Sequence, residues 1–276
     1  MMVEDDYPRD GLLTAHIARY FDGLPFPYAN TLESIAAGTE CHILELCGSG
    51  YLPIIAWQKM GIMDLCAPGL DEDLIHDVFA GTNNSITGVR ITDRYRESEE
   101  AKMLRDIMGH RYKVIEALLP SVESFRLINQ RKEDLGIDGF SHIIFRPIGP
   151  LWELEREVRK RRSPLAHKAY NRIASNFLVN CYSLLSLGGK LFMQMPKGNI
   201  NGLFSRAIIE LNELPGIETK LSEGYALFGG IVSGFSLEKV SGAPRNEEFR
   251  EFVAHKIAQI NDELLPQHQQ ETPQHL

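Results

Sequence analysis

Short apolar runs alternate with longer amphipathic segments through the middle of the chain. Short runs rich in branched or aromatic residues are typical of buried strands, whereas apolar positions three and four residues apart are typical of helices. The predicted strands cover residues 42–46, 85–92, 125–129, 140–145 and 190–195. The predicted helices cover residues 54–62, 71–81, 96–119, 166–187 and 204–214. Strands separated by helices indicate a doubly wound, mainly parallel sheet.

Both ends of the chain add further elements. Residues 1–40 form a predicted N-terminal helical extension, because their apolar residues recur at helical spacing. Two strand-like runs flank Gly229 and Gly230, a pair that favours a tight hairpin, so we expect an antiparallel strand pair at the sheet edge. The last predicted helix lies within residues 241–264, and we expect the polar tail, 265–276, to be disordered. The predicted α/β domain is thus residues 41–240.

Composition narrows the class of protein. The 276 residues are 43% hydrophobic and 24% charged, which is typical of globular chains. The 29 basic and 37 acidic side chains give a net charge of -8, and this argues against nucleic acid as a general partner. The acidic start lacks the features of a signal peptide, and no apolar stretch reaches the roughly 20 residues of a membrane helix. We therefore expect a cytoplasmic protein without a membrane partner.

The cysteines and histidines show no metal-ligand spacing, so we expect no metal site. The four cysteines, which lack CxxC spacing, are predicted to be reduced thiols: Cys41, Cys47, Cys66 and Cys181. Cys47 is either a small packed turn residue or a thiol activated at a helix N-terminus. Residues 156–172 are rich in Lys and Arg but also follow several acids, which favours a solvated helix face.

The strongest local signal is the glycine-containing turn that follows the first predicted strand. There an apolar strand ending at Leu46 runs into Cys47, Gly48, Ser49 and Gly50. Glycine allows the backbone to approach a ligand closely, and the first strand-to-helix turn of an open α/β sheet is a frequent ligand site. A tight turn without a ligand is the alternative, since short glycine motifs recur by chance.

The order of these segments resembles the class I S-adenosylmethionine-dependent methyltransferase family, over about residues 42–239. ILELCGSGY is similar to its first motif, GVRITD to the end of its second strand, and KEDL to the acidic turn after its third strand. GFSHIIFRP is similar to its fourth strand, and SLLSLGGKLFMQM resembles its helix, Gly-Gly turn and fifth strand. The resemblance implies a Rossmann-like fold, with the predicted hairpin as the family's antiparallel pair.

The resemblance also implies a cofactor, S-adenosylmethionine, and residues that would hold it. The implied cofactor-binding residues are Glu45, Cys47, Gly48, Ser49, Gly50, Arg90, Asp134 and Arg146. Among them, Asp134 would accept a hydrogen bond from the adenine amino group; the neighbouring Glu133 belongs to the same acidic pair. Arg146, Tyr225 and His142 are candidates for lining the methyl-acceptor side. The resemblance assigns no catalytic base, no acceptor and no oligomeric state.

Three positions depart from the family pattern. Glycines follow Glu45 at three and five residues rather than two, four and six, so the turn is one residue shorter or Cys47 occupies a glycine site. The fourth motif has Ser141 in place of an acid. Its last four residues are Phe145, Arg146, Pro147 and Ile148, unlike the Asn-Pro-Pro-aromatic set, which argues against the amino-group methyltransferases that carry that set.

Arg90 stands where the family has the acid that binds the ribose hydroxyls. A guanidinium cannot accept a hydrogen bond, so with S-adenosylmethionine it points away or pairs with an acid such as Asp93. Recognition of a 2′-phosphate, as in NADP-dependent oxidoreductases, is a second possibility. A strand-end arginine in an ordinary salt bridge is the third. The predicted function is methyl transfer to an unidentified acceptor. The first alternative is a catalytically decayed, methyltransferase-like binding or regulatory protein, and the second, less favoured one is an NADP-dependent oxidoreductase.

Overall fold

The computed structural model describes residues 39–50, 72–90, 99–145, 164–196, 203–225 and 231–264. Several predicted features lie outside these residues: the N-terminal extension before residue 39, the helix at 54–62, Cys66, Asp93, the segment 146–163, the Gly229–Gly230 turn and the tail after residue 264. No helix in the described part of the chain is long and apolar enough to cross a membrane.

A seven-stranded sheet forms the centre of the described structure, in the order β3-β2-β1-β4-β5-β7-β6. The strands are β1 (His42–Leu46), β2 (Ser85–Arg90), β3 (Tyr112–Glu116), β4 (Phe140–Phe145), β5 (Leu185–Pro196), β6 (Ile217–Tyr225) and β7 (Ile231–Lys239). The first five strands are parallel, and β7 pairs antiparallel with both β5 and β6. The predicted fold class, a Rossmann-like sheet with an antiparallel C-terminal pair, is confirmed.

Helices connect these strands. They are α1 (Glu72–Phe79), α2 (Glu99–Met108), α3 (Val122–Leu135), α4 (Pro164–Leu184), α5 (Leu203–Glu210) and α6 (Asn246–Leu264), with 3-10 turns at Gly109–Arg111 and Leu211–Glu213. Because alternate strand residues point to opposite faces, Leu44 and Leu46 join one apolar cluster with Phe177 of α4 and Phe249 of α6. Ile43 and Glu45 point to the other face.

The third strand is not where the sequence predicted it. Residues 96–119 are not one helix, since α2 ends at Met108, Gly109 takes a positive φ of 57°, and β3 follows. The strand is buried at Tyr112 and Ile115 and exposed at Lys113 and Glu116, a spacing of three residues that extends the helical pattern of α2. The prediction of a helix through β3 is therefore wrong.

The predicted strand at 125–129 is wrong as well, because these residues lie inside α3. Ser121 caps that helix by accepting a hydrogen bond from the backbone N–H of Ser124, and the Ser124 side chain accepts one from the Ser121 N–H in return. The buried positions Phe125 and Ile128 are three residues apart, as on a helix face. Gly136, with φ 66°, ends the helix.

Candidate functional site

The turn after β1 has a left-handed backbone at two residues. Cys47 has a φ of 67° and Gly50 a φ of 82°. Side chains disfavour this region and glycine does not. Cys47 therefore occupies a glycine-type position, which decides between the two interpretations of the shortened motif.

Glu45 holds this turn from within. Its side chain is fully buried, and its Oε2 accepts a hydrogen bond from the backbone N–H of Gly50 at 2.5 Å. A Cβ at Gly48 would overlap the Glu45 carboxyl group. Residue 48 must therefore be glycine as long as Glu45 is present, because the Glu45 carboxylate fills the space that a side chain there would need.

Strands β2 and β3 support the turn from below. The Gly48 N–H donates to the Val89 carbonyl at 3.0 Å, and a Cβ at Gly88 would lie 2.5 Å from the carbonyl carbon of Ser49. The Tyr112 hydroxyl donates to the Ser49 carbonyl at 2.9 Å. Gly88 of β2 therefore leaves room for the turn to lie close to the strand, and the hydrogen bond from Tyr112 of β3 fixes the turn there.

Arg90 pairs with an acid on the neighbouring strand. Its Nη2 lies 3.4 Å from Oε1 of Glu116, and the two residues are register partners at the carboxyl ends of β2 and β3. Arg90 is 17% exposed and Glu116 is 55% exposed. The arrangement agrees with a strand-end arginine in a salt bridge, and the acid is Glu116; Asp93 lies outside the described residues.

Asp134 does not follow the third strand. It lies in the last turn of α3, exposed, where Oδ1 accepts a hydrogen bond from Nε2 of Gln130 at 3.1 Å. Because α3 returns from the carboxyl end of β3 to the amino end of β4, its last turn is at the opposite edge of the sheet from the β1 turn. The predicted placement of Asp134 and Glu133 is wrong, and Glu116 is the acid at the carboxyl end of the third strand.

The candidates for the acceptor side do not converge in the described structure. His142 is buried in β4, stacked on Phe192 with ring centroids 6.2 Å apart, and burial, with a smaller effect of Lys190, lowers its pKa to about 4. It is a packed core histidine. Tyr225 ends β6, four strands from β1, about 19 Å away at the usual strand spacing. Arg146 lies outside the described residues.

A second polar cluster gathers at the amino ends of β1, β2 and β4. His42 Nδ1 lies 2.9 Å from Ser85 Oγ, and His42 Nε2 lies 3.0 Å from Oε1 of Glu40. Ser141 Oγ accepts from the His42 N–H at 2.9 Å and lies 2.9 Å from Nδ1 of His142. The Ser85–His42–Glu40 chain has the side-chain types of a hydrolase triad, but Ser85 is fully buried and cannot reach a substrate. The cluster therefore has a structural role, since its hydrogen bonds link β1 with β2 and β4.

The described cysteines are free thiols. Burial raises the pKa of Cys181 and of Cys41, so both are held in the protonated form, which is neither nucleophilic nor metal-binding. Among the described residues, no group of three or more His, Cys, Asp or Glu side chains is placed to hold a metal ion.

Sequence reasoning missed three residues that shape the site: Gly88, Tyr112 and Glu116. Gly88 lies inside a correctly predicted strand, where an isolated glycine indicates close backbone approach, so its signal was readable. Tyr112 and Glu116 were hidden because their strand was assigned to a helix.

Comparisons with known proteins give structural likeness only. No protein-family model and no curated protein matches the chain. The O-methyltransferase from Bacillus cereus in complex with SAH is 12% identical, over 85% of this chain and 94% of that one, with a TM-score of 0.43. The O-methyltransferase TomG from Streptomyces achromogenes, in complex with SAM, is 11% identical over 84% and 90%, with a TM-score of 0.46.

A third structure, the precorrin-6y C5,15-methyltransferase from Geobacter metallireducens, is 9% identical over 77% of this chain and 88% of that chain, with a TM-score of 0.41. Likeness at this level assigns no activity to this chain. The fold follows from the order and register of its strands.

Proposed function

We propose that this protein is a methyltransferase that uses S-adenosylmethionine, bound at the β1 turn. The observation that carries the proposal is the left-handed turn from Cys47 to Gly50 at the carboxyl end of the central strand. Ligands of open α/β sheets bind at this edge. The turn is also fixed before any ligand arrives, by the side chains of Glu45 and Tyr112, so little ordering would be needed on binding.

The residues present fit the cofactor in the following way. Gly48 and Gly50 carry no side chain at the strand end, which suits close approach of the methionine part. The exposed carboxylate of Glu116 supplies the hydrogen-bond acceptor for ribose hydroxyls that Arg90 cannot supply. Asp134 has no part in this proposal, because it lies at the other edge of the sheet.

The chain's own share in the reaction is binding and orientation. When bound, S-adenosylmethionine supplies an activated methyl group on a positively charged sulfur. The turn would fix one end of that molecule, and Glu116 the other, so that an acceptor is held in line. The acceptor would be of a kind other than those recognised by an Asn-Pro-Pro-aromatic motif.

A second candidate function is binding without turnover, as in a decayed methyltransferase-like regulatory protein. The specific observation in its favour is the Arg90–Glu116 ion pair, which stands where the family has an unpaired ribose acid. An enzyme and a binding module differ in one measurement: only the enzyme consumes S-adenosylmethionine.

The first prediction is that S-adenosylhomocysteine raises the melting temperature of the full chain. A ligand that binds only the folded state stabilises it by about 2.7 kcal/mol at one hundred times its Kd. Differential scanning fluorimetry across a ligand titration measures the shift. A folded protein with no shift at millimolar ligand would contradict the proposed cofactor, and a shift without methyl transfer to any acceptor in a cell extract would favour the binding module.

A second prediction separates S-adenosylmethionine from NADP. If a 2′-phosphate met Arg90, then Arg90→Ala would remove charge-assisted hydrogen bonds and weaken NADP binding roughly ten- to hundredfold. We expect no NADP binding to lose, and nearly unchanged S-adenosylhomocysteine affinity, because Glu116 remains. Calorimetry with both ligands measures this.

The matched control is Arg250→Ala, an exposed arginine on α6, which should change neither affinity. Arg90→Asp is a less useful variant, because it would put two carboxylates at register partners on neighbouring strands, where like charges repel. A large loss of NADP affinity in Arg90→Ala alone would establish the oxidoreductase interpretation.

A further inference from the structure

A groove of about 690 Å³ lies between α3 and α4, and none of its lining residues belongs to the β1 turn. Its walls are about two turns of each helix, with Val122, Phe125 and Arg126 on the α3 side and Arg172, Asn176 and Asn180 on the α4 side. The volume is in the range of ordinary ligand sites. None of the features assigned to methyl transfer uses it.

The charge of the groove is opposite to that of the protein. Arg126 and Arg172 line it, and no carboxylate does, in a chain of net charge -8. Arg126 already donates to Glu123 at 2.6 and 2.8 Å. Arg172 is exposed and forms no ion pair with any residue in the described ranges, so its guanidinium is available to an external anion.

The α4 wall carries polar side chains at a regular spacing. Arg172, Asn176 and Asn180 follow one another at intervals of four residues, so they lie on one face about 6 Å apart. Two residues of an extended chain span about 6.6–6.8 Å. An asparagine side chain has both a donor and an acceptor, which match the carbonyl and N–H of a peptide group. This spacing suits an extended peptide laid along α4.

Apolar surface is exposed where the groove begins at α3. Val122, a lining residue, is 90% exposed, and nearby Leu118 is 61% exposed. Phe125 and Phe177 form the floor, with ring centroids 6.0 Å apart in an edge-to-face arrangement. An extended chain turns alternate side chains to opposite sides, so one set can meet the cations while the other covers this apolar rim.

We propose that the groove between α3 and α4 binds an extended, acidic peptide segment of a partner protein. A carboxylate of the segment pairs with Arg172, its backbone hydrogen-bonds to Asn176 and Asn180, and an apolar side chain packs on Val122. This site does not depend on the proposed methyl transfer, and its test does not use the cofactor.

The test is fluorescence anisotropy with the full chain and a fluorescein-labelled peptide of four Glu-Val repeats. We expect saturable binding, and at least tenfold weaker binding of the matched peptide of four Gln-Val repeats. Arg172→Gln should weaken binding of the acidic peptide roughly tenfold, as expected for loss of a charge-assisted pair. Asn176→Ala should weaken it less, and Arg250→Gln, the exposed control on α6, should leave it unchanged.

Several results would overturn the proposal. They are equal binding of the Glu-Val and Gln-Val peptides, unchanged binding in Arg172→Gln and Asn176→Ala, or no binding at millimolar protein. Full displacement of the labelled peptide by equimolar naphthalene-1-carboxylate would also overturn it, because the groove would then be a site for a small organic anion. Circular dichroism of each variant confirms that it is folded, and these substitutions are at surface positions.

Discussion

The two edges of the central sheet both collect polar groups, with β1 and β2 contributing to each, yet they differ in what those groups leave available. At the amino edge, His42, Ser85 and Ser141 bond to one another or to strand backbone. At the carboxyl edge, the β1 turn is bonded from below and within, and Glu116 keeps an exposed carboxylate.

The comparison shows that residue types alone do not define a site. The amino edge holds a serine, a histidine and a glutamate in hydrogen-bond distance, but its serine is buried and every partner is structural. The carboxyl edge has a simpler set, a glycine turn and one ion pair, and the Glu116 carboxylate of that pair is exposed. Access and unused hydrogen-bonding capacity distinguish the two.

The largest expected effect concerns the amino edge and pH. Burial lowers the pKa of folded His142 to about 4, against 6.5 for the unperturbed residue, so the unfolded chain binds the proton more tightly. The free energy of unfolding that depends on neutral His142 is fully present above about pH 6.5. It falls by roughly 3 kcal/mol in total as the pH drops through 4. Urea denaturation at several pH values measures it.

His142→Gln should flatten that pH dependence, whereas His255→Gln, at an exposed position on α6, should leave it as in the wild type. Neither variant should change the response to S-adenosylhomocysteine if the amino edge has only a structural role. An altered ligand response in His142→Gln would break the contrast between the edges.

A smaller effect is expected at the carboxyl edge from Gly88→Ala. The new Cβ would lie 2.5 Å from the carbonyl carbon of Ser49. Because the Cβ is fixed to the strand and the atom it meets is backbone, the turn must move. We expect destabilisation of about 1–3 kcal/mol together with loss of the thermal shift by S-adenosylhomocysteine.

Gly81→Ala is the matched control for this substitution. Gly81 has a φ of 74° and open space around a Cβ, so it should cost about 1 kcal/mol from backbone strain and leave the ligand shift intact. A normal ligand shift in folded Gly88→Ala would show that the turn is not the site.

The smallest expected effect is at Cys47, where the usual stability difference between a glycine and an alanine variant should change sign. In ordinary helix or strand positions, glycine is less stable than alanine by about 0.5–1 kcal/mol. Because Cys47 has a φ of 67°, Cys47→Gly should be more stable than Cys47→Ala by about 1 kcal/mol. Urea denaturation of the two variants measures this, and Ala101→Gly in α2 supplies the ordinary sign. A less stable Cys47→Gly would contradict the left-handed assignment.

The sequence was sufficient for the central strands and the closing antiparallel pair but not for β3 and the helix that follows it. β1, β2, β4 and the closing hairpin are bounded by glycines or polar turns, which separate them clearly. β3 follows α2 with only a three-residue turn, Gly109–Arg111, between them, and its charged residues, Lys113 and Glu116, are three positions apart, as on a continuing helix face. Local pattern therefore favoured one long helix, and strand pairing decided otherwise.

The candidate site was predictable in the part that depends on one continuous segment. Glu45 and the two glycines of the turn are adjacent in sequence, so their cooperation could be inferred. Glu116 meets Arg90 only through the register of β2 with β3, a relation between residues 26 positions apart. Because the third strand was predicted at residues 125–129, the acid expected to bind adenine was placed at Asp134, which lies at the amino edge of the sheet.

The position of β7 has a consequence for synthesis on the ribosome. It is the last strand of the sheet to be made, yet it lies between β5 and β6. At about 5–20 residues per second, the roughly 35 residues from Pro196 to Ile231 take about 2–7 s to emerge. During that interval the nascent chain exposes the outer edge of β5, a template for unwanted pairing. Chaperone protection would matter most at that stage of translation, and slow elongation between residues 196 and 231 would prolong the exposure.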